Sequence, residues 1–114
     1  MNDHLKSSLV IDSASLLARK DGIPIFIRKK GDPDSGIIFI KIDLLNDNVV
    51  LLRRNLNYVI ETNKTFIEYV NLFPNKIVNN FQVDQKLKSE IAIDPDCWIV
   101  EIEDKKGKNY FENI

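Results

Sequence analysis

Histidine and cysteine are almost missing from this chain: its 114 residues hold one of each, His4 and Cys97. A lone cysteine forms no internal disulfide, which excludes the cross-linked framework of many small secreted domains. One His and one Cys cannot complete a zinc site. His4 lies in the polar amino-terminal stretch, so a Cys–His catalytic pair is not expected. Long apolar runs are also missing. No stretch approaches the roughly 20 residues of a membrane-spanning helix, and Met1-Asn2-Asp3-His4-Leu5-Lys6 lacks the apolar centre of a signal peptide. Charge of one sign is missing as well. Sixteen Lys and Arg stand against 17 Asp and Glu, a formal net charge of -1, so there is no global attraction to nucleic acid or to an anionic membrane. The expectation is a cytoplasmic protein with no membrane association and no cofactor.

The length suits one domain over residues 1–114, large enough to bury a core without staples. Apolar residues recur with helical spacing as Val10, Ala14, Leu17 and Ala18, which predicts a helix capped by Ser7 or Ser8 and closed by Gly22 and Pro24. Ile23–Lys29 alternates as a strand. Ile37–Leu45 is apolar on both faces, the mark of a central strand, and Asn46-Asp47-Asn48 turns it into a third strand over Val49–Arg53. Residues 55–64 are polar without clear periodicity. Thr65–Phe73 fits either a helix stripe or a strand, and its β-branched and aromatic content favours the strand. Asn75–Gln82 reads as a linker, and Val83, Leu87 and Ile91 predict a second helix. Cys97–Glu103 is the most regular strand, with Trp98, Val100 and Ile102 on one face; Tyr110 and Phe111 are expected to pair back as a short edge strand. The predicted fold is α+β, a mainly antiparallel sheet of four to five strands with two helices packed on it.

Two Asp-Pro-Asp turns organise this pattern. Asp32-Pro33-Asp34 precedes the strand from Ile37, and Asp94-Pro95-Asp96 precedes the strand from Cys97. Gly22-Ile23-Pro24, Arg28-Lys29-Lys30-Gly31-Asp32-Pro33-Asp34-Ser35-Gly36 and Asp94-Pro95-Asp96-Cys97-Trp98-Ile99-Val100-Glu101-Ile102-Glu103-Asp104 follow one another in an order and spacing that resembles the domain of unknown function 1491 family. That resemblance covers nearly the whole chain. It implies a bacterial, mainly alphaproteobacterial, cytosolic stand-alone domain, and brings no known activity, cofactor or catalytic residue.

The residues offer three functional readings. If the turns share one end of the sheet, Asp32, Asp34, Asp94 and Asp96 could hold a hard divalent cation and support metal-assisted hydrolysis. Against this, Asp beside Pro is the ordinary chemistry of a turn, whose own N–H groups occupy the carboxylate. Asp32-x-Asp34 is not the start of a calcium loop, since Ile37 replaces the required Gly and a strand follows; Gly31 and Gly36 lack the Lys-Ser/Thr of a phosphate loop. The basic groups Arg28, Lys29, Lys30, Arg53 and Arg54, with Lys105, Lys106 and Lys108, could converge on a phosphate backbone or an acidic partner. With no nucleophile–base pair and no complete cofactor motif, the leading expectation is a non-enzymatic module that binds another protein. A metal-dependent hydrolase and a nucleic-acid-binding module are the alternatives.

Overall fold

The computed structural model describes residues 5–75 and 77–114, so His4 lies outside it. The elements are α1 (Ser7–Lys20), β1 (Ile25–Lys29), β2 (Ile38–Asp43), β3 (Val49–Val59), β4 (Lys64–Asn71), α2 (Asn80–Ile93) and β5 (Trp98–Glu103). They build one five-stranded sheet in the order β1-β5-β2-β3-β4. Only the β2–β5 pair is parallel; the other neighbours are antiparallel. The α+β expectation therefore holds; β2, β3 and β4 form an antiparallel meander, whereas β1, expected to precede β2 and β3 in the meander, pairs with β5 and not with β2. No described helix is long and apolar enough to cross a membrane.

The strand period separates two cores. Ile38, Ile40 and Ile42 of β2 and Trp98, Val100 and Ile102 of β5 face α1, which contributes Val10, Ile11, Ala14 and Ala18. On the other face Phe39, Leu51, Cys97 and Ile99 pack under Val83 and Leu87 of α2. Both central strands are buried along five of their six residues, as apolar character on both faces predicts. The expected α1 stripe needs one correction: Leu17 is 44% exposed, and Ile11 takes the buried place.

Three further expectations are corrected. The serine cap of α1 is absent: the N-cap is Lys6, without a side-chain bond. Backbone carbonyls of the first Asp-Pro-Asp turn do the work, Asp34 accepting from the Ser7 N–H and Pro33 from the Ser8 N–H, while Ser7 Oγ donates to the Gly36 carbonyl. The third strand does not stop at Arg53. It runs to Val59 and pairs with β4 from Leu52–Asn71 to Val59–Lys64, so the polar stretch after Arg53 is strand and hairpin tip. Tyr110 and Phe111 form no strand; they lie in turn structure and plug the α1-side core, Phe111 fully buried.

Part of the expected linker is helix. α2 starts at Asn80 with a reciprocal cap: Asn79 Oδ1 accepts from the Gln82 N–H at 2.8 Å, and Gln82 Oε1 accepts from the Asn79 N–H at 3.1 Å. Asp47 of the β2–β3 turn anchors that end, its Oδ1 accepting from both N and Nδ2 of Asn80 at 2.9 Å. These two bonds hold the Asp47 carboxyl below its ordinary range.

Candidate functional site

The two Asp-Pro-Asp turns meet through their backbones. The Asp32 N–H donates to the Asp96 carbonyl at 2.9 Å, and Trp98 Nε1 donates to the Asp32 carbonyl at 2.7 Å. Lys29 Nζ adds bonds to the carbonyls of Pro95 and Cys97, at 2.5 and 2.8 Å. The turns approach so closely that a Cβ on Gly31 would sit 2.2 Å from the Asp96 oxygen. Two of the four carboxylates, Asp32 and Asp94, serve the turns themselves. Asp32 accepts from the Asp34 N–H and from Ser35 Oγ, and Asp94 accepts from the Asp96 N–H. Asp34 faces Lys6 at 3.6 Å, both well exposed. Cys97, beside the junction, is fully buried, and burial pushes its thiol up, away from nucleophilic use.

The basic groups are dispersed. Lys29 and Arg53 belong to one cross-sheet row with Ile99 and Phe39 between them, about 14 Å apart at the backbone. Arg53 Nε donates to Asn55 Oδ1 and Arg54 Nε to the Tyr69 hydroxyl, on opposite faces of β3. Lys105, Lys106 and Lys108 follow β5 at the other end of the sheet.

A different charged set emerges on the α2 face. Lys41 of β2 and Glu101 of β5 are register partners, exposed by only 9% and 6%. Glu101 Oε1 accepts from Arg28 Nε at 2.9 Å and lies 3.7 Å from Lys41 Nζ, which in turn lies 3.7 Å from Asp84 Oδ1 of α2. The hydrogen bond to Glu101 holds the Arg28 guanidinium above its ordinary range, and its charge adds in the same sense. A register shift between Ile27 and Lys29 lets the end of β1 serve both places, Arg28 on Glu101 and Lys29 on the turn carbonyls.

This ionic chain floors a groove of about 670 Å³ between β1 and α2, lined by Arg28, Lys41, Ile99 and Glu101 of the sheet and by Phe81, Asp84, Lys88 and Ile91 of the helix. Phe81 is 70% exposed on one wall; Phe26, 39% exposed, lies on β1 opposite Glu101 with the Arg28 guanidinium 4.9 Å above its ring. Glu101 also belongs to the group Asp43, Glu101 and Glu103, whose oxygens approach within 4.8 Å among the described residues. Lys41 and Arg28 already neutralise that group on Glu101, and Asp43 accepts from the Leu45 N–H at 2.8 Å. Sequence reasoning named Arg28 among the basic candidates but missed its convergence with Lys41 on Glu101. The signal was present: a lysine inside the apolar run Ile37–Ile42 of a strand covered on both faces has to find a buried anion.

The profile of the family described as "Protein of unknown function (DUF1491)" matches residues 5–112. The chain belongs to the DUF1491 family. No curated protein matches it. A crystal structure of a DUF1491 family protein from Caulobacter crescentus superimposes with a TM-score of 0.73 at 22% identity, over 93% of this chain and 91% of that one. The solution structure of protein Atu0922 from A. tumefaciens gives a TM-score of 0.70 at 22% identity, over 87% of this chain and 85% of that one. An NMR structure of the C. crescentus family protein gives a TM-score of 0.73 at 21% identity, over 93% and 91%. At such identities the likeness establishes a shared DUF1491 fold. Both sources are alphaproteobacteria, the group the sequence resemblance implied.

Proposed function

We propose that this DUF1491 protein is a non-enzymatic interaction module of the cytoplasm, and that the groove between α2 and β1 receives an extended segment of a partner protein. The supporting observation is the pairing of a self-neutralised floor with exposed aromatic side chains. Glu101 is matched by Arg28 and Lys41, and Lys41 by Asp84, so the floor needs no metal or substrate charge to balance it. Phe81 on the helix wall of the groove, and Phe26 on β1 opposite Glu101, leave apolar surface in water, the type of residue that anchors protein interfaces. Lys88 lines the same groove and suits a carboxylate on the incoming segment. The occupant is a partner segment with an apolar side chain beside an acidic residue.

Phe81→Glu tests this reading without touching the core, because Phe81 is 70% exposed. Affinity capture from the native cell extract is expected to recover one protein with the wild type and to lose it with the variant. With that protein purified, the dissociation constant is expected to rise at least about tenfold. Equal recovery by both forms, or turnover of a substrate by the purified chain, would overturn the proposal.

A further inference from the structure

The two edges of the sheet are built differently. β1 is five residues long and carries the register shift between Ile27 and Lys29, so it makes a poor template for another strand. β4 runs eight residues, Lys64–Asn71, in unbroken register with β3. The Leu72 N–H donates to the Leu51 carbonyl, and bonded and non-bonded pairs alternate along an antiparallel ladder. Lys64, Phe66 and Glu68 therefore spend their backbone groups on β3, while Thr65, Ile67 and Tyr69 aim theirs outward. No backbone bond outside the sheet occupies those outward groups among the described residues.

We propose that two copies of this chain associate edge to edge along β4, in the antiparallel register that sets Phe66 against Phe66 of the second copy. This inference is independent of the groove beside α2. A second copy whose sheet continues flush must pair residues of the same face, which restricts the twofold axis to a residue position. Centred on Phe66, Thr65 faces Ile67 of the second copy through outward backbone groups. On the α2 face Lys64 then stands opposite Glu68 of the second copy, and symmetry makes this charge pair twice. Neither Lys64 nor Glu68 has an ion pair within its own chain among the described residues, and both are exposed, as is Phe66 at 50%. Centring on Glu68 would oppose two carboxylates, and centring on Ile67 would set Phe66 against Glu68. Charge complementarity selects the Phe66 register.

Sedimentation over a concentration series is expected to show the mass rising from one 13.2 kDa chain to twice that. Lys64→Glu and Glu68→Lys are each expected to raise the dissociation constant about tenfold, by turning both charge pairs repulsive. The double variant restores the attraction with reversed signs and is expected to recover wild-type association. Both side chains are exposed, so far-ultraviolet circular dichroism is expected to stay unchanged. Phe66→Cys is expected to give a disulfide-linked dimer on mild oxidation, and Ile67→Cys is not. A single-chain mass at all concentrations, association indifferent to both charge reversals, failure of the double variant to recover, or cross-linking that favours position 67 would overturn the proposal.

Discussion

At Gly31 the closeness of two turns becomes a requirement on one residue. A methyl group there would meet the Asp96 oxygen at 2.2 Å and the Cys97 carbonyl carbon at 2.6 Å, both backbone atoms that cannot rotate away. Gly31→Ala is expected to destabilise the fold by at least about 3 kcal/mol, the upper range for overpacking, measured by urea denaturation. A cost below about 1 kcal/mol would mean that the turns separate easily. Single residues also show why the site was only half legible. The Asp-Pro-Asp carboxylates stood out because turn chemistry is local and can be read from three adjacent residues. Lys41 and Glu101 lie on strands distant in sequence, and only the parallel β2–β5 pairing brings them together.

Elements with apolar residues facing a core were read with the right type. β2 and β5 were placed on the correct faces, and β4 was correctly preferred as a strand over a helix. The extension of β3 was missed for a physical reason. Beyond Arg54 the strand leaves β2 and runs five residues further, about 17 Å, held by pairing with β4 and covered by neither helix. A strand without a core face loses the contrast that sequence patterns detect. Tyr110 and Phe111 failed in the opposite way, because a short apolar pair looks the same whether it joins an edge or fills a core. Phe111→Ala separates the two roles: loss of a core plug is expected to cost about 4 kcal/mol, measured by thermal or urea unfolding, whereas an edge position would cost about 1 kcal/mol or less.

For the molecule as a whole, the α2 and α1 faces play different parts. α1 and the carboxy-terminal turn close one face around Phe111, and that closure carries a pH signature. Burial first, then the bond to the Asp21 carboxylate, pushes the Tyr110 hydroxyl up to about 12 from 10.0. The neutral phenol is thus favoured in the folded state. Its contribution is complete below pH 10 and is lost as pH rises toward about 12. Tyr69, pushed up by burial, acts in the same sense, so the comparison is between wild type and Tyr110→Phe: the variant is expected to lose less stability over that interval, as followed by urea midpoints. The α2 face stays open beside the helix, and there the floor is ionic and the exposed aromatics are Phe26 and Phe81. The direct measurement is site-specific photo-cross-linking in cells, with a photoreactive amino acid placed at Phe81 and, as a control, at Leu16, which is 69% exposed on α1. A partner in the groove predicts a discrete adduct from position 81 that is absent from position 16. No adduct at 81, or the same adducts from both positions, would contradict the account.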